Sequence, residues 1–186
     1  MRIIVGITGA SGSVYGLRLI EVLKEKQCEV HAVVTTSGWK VLDYECGVSA
    51  NMLRSKVDFL YDIDDIGATI ASGSFHSEAM VIMPCSMKTL GSVANGISDN
   101  LLARAADVML KEDRKLIMVP RETPLHAIHL ENMLKLSRLG VKIVPACPGF
   151  YHLPQSIDDL VNMLVGKVCD QLNIEHDLFA RWQGGK

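Results

Sequence analysis

The sequence predicts an open, parallel α/β sheet in three layers, with helices covering both faces, and three observations carry that expectation. Short apolar runs alternate with stretches of helical periodicity along the chain, the pattern of a parallel sheet with crossover helices. The runs themselves, such as Met80–Met83 and Leu116–Val119, are apolar at every position, as strands buried from both sides must be. Both stop at a proline, Pro84 and Pro120, which cannot donate to a ladder. Polar residues therefore follow the carboxyl ends of two strands, where open α/β sheets bind their ligands.

In chain order, Arg2–Thr8 reads as the first strand and leads into the glycine turn Gly9–Gly16. Leu17, Ile20, Val22 and Leu23 then recur with helical spacing. Val30–Val34 is the second strand, ending in Thr35-Thr36-Ser37, with a helix to about Tyr44. Residues 45–75 carry the weakest signal, a short helix near Ala50–Leu53 and a loop at Ala71–Ser74. Between the proline-stopped strands, Asp99–Glu112 is helical, with Leu101, Leu102, Ala105, Val108 and Met109 on one face and Arg104 and Lys111 on its flank. A helix over about Leu125–Leu139 ends at Gly140, a suitable C′ residue. Val141–Val144 forms a strand stopped by Pro145, and the loop Ala146–Gln155 holds Phe150-Tyr151-His152. Ser156 with Asp159 makes a capping box for a helix whose apolar face is Ile157, Leu160, Val161, Leu164, Val168 and Leu172. A tail over about 175–186 carries Phe179 and Trp182. No repeat or linker interrupts the order, so a single domain over 1–186 is expected.

Composition excludes several classes. A length of 186 residues suits one domain, and 48% hydrophobic residues fill a core or leave apolar surface for subunit contacts. A net charge of −2 argues against a nucleic-acid binder. No apolar stretch reaches membrane-spanning length, and Ile3–Ile7 lacks a signal peptide's layout, so a cytoplasmic protein is expected. The five cysteines contain no CxxC pair and read as reduced thiols rather than disulfides or zinc ligands. Neither HxH nor HExxH occurs, so no metal site is expected, and His129 and His152 read as structural.

The glycine loop is spaced G-x-x-G-x-x-x-G, unlike the dinucleotide fingerprint. The backbone N–H groups opening the next helix still favour an anion, with Ser11 and Ser13 adding hydroxyls, although a tight turn alone would also explain the glycines. Thr35-Thr36-Ser37 stands where an NAD enzyme places its ribose-binding acid, which favours a mononucleotide such as FMN. Ser86, Lys88 and Thr89 suit phosphate or flavin edges, and Ser86 equally suits an N-cap. Arg121 and Glu122, between Pro120 and Pro124, pair a cation with a possible general acid/base. Lys167 borders an apolar stripe, where snorkelling is the ordinary fate. Tyr151 and Trp182 suit an apolar pocket wall or plain packing.

Six ordered blocks resemble the UbiX-type flavin prenyltransferases, long labelled phenylacrylic or aromatic-acid decarboxylases. They are Gly6–Gly12, Ala71–Phe75, Pro84–Thr89, Arg104–Val108, Pro120–His126 and Pro148–His152, and the likeness extends to Phe179–Trp182. The resemblance implies a flavodoxin-like or Rossmann-like sheet, generally assembled as a homododecamer with sites at subunit junctions. It implies a metal-independent prenyltransferase that joins dimethylallyl, from dimethylallyl monophosphate, to N5 and C6 of reduced FMN, supplying a UbiD-type decarboxylase. Carried over residue by residue, Gly9, Ala10, Ser11, Thr35, Ser86, Met87, Lys88, Thr89 and Arg121 match the FMN site. Tyr151 and Lys167 match the prenyl-phosphate site, Arg104 and Lys111 resemble further basic contributors, and Trp182 matches an aromatic wall. Glu122 matches the proton-transferring glutamate and Glu45 a second acid. Many relatives carry arginine where this chain has Lys167, which keeps the charge but loses the bidentate fork. Two other readings stay open: a decarboxylase of the phosphopantothenoylcysteine type, needing a catalytic histidine near the flavin, and a non-catalytic flavin carrier.

Overall fold

The structure, a computed structural model, describes residues 1–184; the last two residues of the expected domain and tail lie outside it. Six parallel strands form one sheet in the order β3-β2-β1-β4-β5-β6. They are β1 (Arg2–Ile7), β2 (Glu29–Val34), β3 (Phe59–Tyr61), β4 (Ala79–Cys85), β5 (Lys115–Pro120) and β6 (Lys142–Ile143). Strand order reverses between β1 and β4, which makes their carboxyl ends the natural place for a cleft.

Pro84 and Pro120 lie inside their strands rather than beyond them. Proline lacks only the donor; its carbonyl still accepts. Pro84 O accepts from Thr8 N at 3.3 Å and Pro120 O from Ala146 N at 3.0 Å, so each ladder continues one residue past the expected stop. The ladder between β4 and β5 shifts register between Ile82 and Cys85.

Helices α1 (Ser13–Glu25), α2 (Thr36–Cys46) and α7 (Ile157–Leu172) belong to one layer, whose core includes Ile3, Val5, Leu19, Ile20, Leu23, Val165 and Val168. Helices α4 (Met87–Ala94), α5 (Leu101–Lys111) and α6 (Ala127–Arg138) form the other, over Ile4, Met80, Ile82, Leu102, Ala105 and Met118. The short α3 (Ala50–Arg54) lies where a short helix is expected. Strand β3 and a 3₁₀ turn at Thr69–Ala71 were not legible, because β3 is a part-exposed edge strand whose run Phe59-Leu60-Tyr61 is too short to show a period. The predicted capping box is present at α7: Ser156 Oγ accepts from Asp159 N at 3.1 Å, and Asp159 Oδ2 accepts from Ser156 N at 3.0 Å. Gly140 takes φ +86° beyond α6.

Helix α6 is amphipathic the wrong way for a monomer. Only Leu136 is fully buried, while Ile128, Leu130 and Leu134 face outward, each more than half exposed. Among the described residues no helix is long and apolar enough to cross a membrane.

Candidate functional site

At the switch point a cleft of about 410 Å³ opens, within the usual range for small-ligand sites. Its wall is built from strand ends: Gly9 after β1, Thr35 and Ser37 after β2, Ser86, Lys88 and Thr89 after β4, and Asn100 at the start of α5. Beside the N-terminus of α5, capped by Asn100, two more helix N-termini meet here. Thr35 Oγ1 caps α2 by accepting from Gly38 N at 3.0 Å, and Ser86 Oγ caps α4 by accepting from Thr89 N at 3.3 Å. Neither helix has an acid in its first turn, so the partial positive charge of both dipoles is left for a ligand anion. Ser86 N donates to Thr8 Oγ1 at 2.8 Å, which fixes this strand end against β1. Lys88 reaches Asp99 at 3.7 Å and is largely exposed, a charge on the rim.

The N-terminus of α1 is occupied by the chain itself. Gly12 caps α1 at φ +98°, and its N–H and that of Ser13 both donate to Glu45 Oε2 at 2.9 Å. The anion that the glycine loop favours is thus the Glu45 carboxylate, and a ligand phosphate is left to α2 and α4. Burial pushes the Glu45 pKa up, but the Ser11 hydroxyl, these two amides and the nearby Arg121 guanidinium outweigh it and hold the carboxyl below its ordinary value. A carboxylate with a lowered folded pKa stabilises above its unfolded value and loses that contribution as pH falls through the folded one. Glu45→Gln is therefore expected to lower stability by about 0.5–1 kcal/mol at pH 7, a modest figure because the side chain is exposed. Urea unfolding at pH 7 and at successively lower pH, past the ordinary carboxylate range, checks this, since the two proteins converge at the acid end.

The other sequence-predicted residues fall into separate groups. Ala10 is buried, and Met87 and Arg121 are half-buried at the cleft's strand ends; Arg121 N donates to Cys85 O at 3.2 Å while its Nε has no partner. Glu122 is exposed on the following loop, accepts only from Thr123 N at 3.1 Å, and has no ion-pair partner among the described residues. Tyr151 and Trp182 stack edge to face with centroids 6.0 Å apart, and Lys167 lies on α7. Arg104 donates to Ala71 O at 3.2 Å and pairs with Asp107 at 2.7 Å. Lys111 pairs with Glu112 at the far end of α5, about 10 Å along the helix axis from Arg104. The fold of one chain therefore does not bring Lys111 to the cleft, and α5 and α7 lie on opposite faces of the sheet. Ile63, Asp64 and Ser92, also in the cleft wall, were missed; the first two sit in the stretch with no readable periodicity.

The cleft's chemistry fits a flavin mononucleotide. It offers acid-free helix N-termini for a phosphate, hydroxyls for the ribityl chain and backbone at its floor. At Gly9 a Cβ would stand 2.5 Å from Ser37 Cβ, so the loop after β1 closes on the start of α2 without a side chain between. Among the described residues no three His, Cys, Asp or Glu side chains are grouped to hold a metal.

A sequence model of the Flavoprotein family matches residues 1–169. A flavin prenyltransferase UbiX from Halalkalibacterium halodurans is 53% identical over 188 aligned positions, covering 96% of this chain and 91% of the relative. The chain belongs to the UbiX flavin prenyltransferase family. The crystal structure of AnUbiX (PadA1), in complex with FMN and dimethylallyl pyrophosphate, is similar at 40% identity and TM-score 0.97, covering 100% of this chain and 98% of that one. A dodecameric FMN-dependent UbiX-like decarboxylase from Escherichia coli O157:H7 is 47% identical with TM-score 0.96, covering 99% and 100%. In this UbiX-family chain the Rossmann-like strand order and the cleft at its reversal agree with the fold expected from sequence.

Proposed function

We propose that the chain joins the dimethylallyl group of dimethylallyl monophosphate to N5 and C6 of reduced FMN, yielding prenylated FMN for a UbiD-type decarboxylase. The cleft at the sheet's switch point, with two open helix N-termini, carries this reading. The relative that binds FMN and dimethylallyl pyrophosphate supports the prenyl half of it.

In this reading the FMN phosphate rests on the N-termini of α2 and α4, with Gly9, Ala10, Ser11, Thr35 and Ser86 through Thr89 around the flavin and Arg121 beside it. Reduced FMN supplies the two nucleophilic positions. Tyr151, Lys167, Arg104 and Lys111 hold the prenyl phosphate and stabilise its negative charge as it departs, so no metal is required. Lys111 and Arg104 reach the site from a neighbouring copy, since α5 and α7 of one chain face opposite ways. Trp182 and Tyr151 wall the allylic group from water. Glu122, free of ion pairs, moves the proton that ring closure releases, while Glu45 holds the glycine loop.

Anaerobic incubation with reduced FMN and dimethylallyl monophosphate, followed by mass spectrometry of the extracted flavin, tests the proposal. A gain of one dimethylallyl unit is expected; unmodified FMN from folded, flavin-loaded protein would reject it.

Assembly as a homododecamer goes with this reading, and the outward apolar face of α6 supplies surface for it. Leu134→Asp is expected to shift the molar mass by light scattering toward smaller species. An unchanged mass would show that α6 does not join copies.

A further inference from the structure

Helix α7 carries Lys167 and the loop after β6 carries Tyr151, both placed at the prenyl phosphate in the reading above, on which this inference rests. Residues 174–182 join the two elements. The segment lies on α7 where the helix has Gly166: a Cβ there would stand 2.6 Å from Phe179 Cε1 and 2.7 Å from His176 Cε1. A mid-helix glycine costs about 0.5–1 kcal/mol relative to alanine, and here the missing side chain is the seat of two rings.

One turn further on, the Asp170 carboxylate gathers three basic groups. Arg181 donates to it through both terminal nitrogens, at 2.8 and 3.2 Å. His176 Nε2 lies 3.2 Å away, and Lys167 Nζ 3.7 Å. Leu178 N donates to His176 Nδ1 at 3.2 Å, so the ring's proton sits on Nε2, facing Asp170. The Arg181 bond, more than burial opposes it, holds the Asp170 carboxyl below the ordinary carboxylate value. A forked guanidinium–carboxylate pair is directional as well as strong.

On its outer side the segment meets the Tyr151 loop. Trp182 packs against Tyr151, and Phe179 lies edge-on to His152 at 6.4 Å. Asp170 is absent from the cleft wall and lies on α7 itself, one turn beyond Lys167.

We infer that Asp170 is a positioning residue: through Arg181 and His176 it latches residues 174–182 onto α7, and the latched segment fixes Tyr151 relative to Lys167. The same carboxylate parks the Lys167 amine until a phosphate takes it over, while Arg181 and His176 keep the latch closed.

The test uses FMN-loaded protein with Trp39→Phe, which leaves Trp182 as the reporter of the chain's two tryptophans. In this background Asp170→Asn and Arg181→Gln should each raise KM for dimethylallyl monophosphate about tenfold, less than the roughly 10²-fold that a 1 Å misplacement can cost. FMN affinity should stay within about twofold, and the double variant should be no worse than either single one, as coupled partners require. Trp182 emission should move to the red and its anisotropy fall. Arg181→Lys should recover part of the loss, since it keeps the charge without the fork. Unchanged KM in folded variants, or FMN affinity falling in parallel, would overturn the inference. If the protein with both tryptophans makes no prenylated flavin, the proposed activity fails instead, and unchanged Trp182 anisotropy in Asp170→Asn would still reject the latch.

Discussion

Glu122→Gln is expected to slow formation of prenylated FMN by about 10²–10⁴-fold, the range for loss of a positioned proton-transfer group, while FMN still binds. Asp64 and Asp99 line the cleft itself; Glu45 and Glu122 lie outside that lining, and their surroundings set them apart. Glu45 accepts two backbone N–H bonds and has its pKa lowered, which makes it a firm anchor and a weak base. Glu122 has no ion-pair partner among the described residues and sits exposed on a loop directly after Arg121. Single-turnover rates from extracted-flavin mass spectra, beside an FMN titration, separate chemistry from binding. Glu45→Gln should affect the rate less than Glu122→Gln does. The reverse order would hand the proton-transfer role to Glu45.

The second large effect is complementation between copies. Lys111→Ala and Lys167→Ala each remove a cation that the proposed function places at the prenyl phosphate, and each protein alone should lose about 10²-fold or more in rate, as for loss of one preorganised electrostatic contact. Neither lysine is buried, so folding should survive. If one site draws Lys111 and Lys167 from different copies, dissociating and reassembling the two variants in equal amounts restores sites with both lysines intact. Random mixing gives about a quarter of all sites. Recovered activity near a quarter of the parent supports a shared site. A mixture as inactive as its components would mean that both lysines act from one chain, or that Lys111 takes no part.

Most of the architecture was legible because burial on two faces leaves a strong mark. Strands β1, β4 and β5 and the core-facing helices α1, α5 and α7 read directly from apolar runs and 3.6-residue spacing. Strand β3 left no such mark because it is short and half exposed. The proline stops misled by one residue, since a strand end needs only proline's carbonyl. In the cleft, the hydroxyls after β2 and β4 were visible as polar residues following apolar strands. The partnership of Glu45 with the glycine loop was not, because 32 residues separate Glu45 from Ser13 and no local pattern couples them. The distance of Lys111 from the cleft was hidden for a related reason. Periodicity places Lys111 on a flank of α5 but says nothing of which end of that helix faces a ligand.

The sheet ends in a strand of three residues on one side and of two on the other. Such margins expose few open backbone groups, so an arriving chain has little to zip onto. In the proposed assembly, copies would therefore join through side chains rather than by pairing sheet edges. Assembly can then be dialled by single surface substitutions, and subunits that come apart carry no long template for fibrous aggregation into water with them.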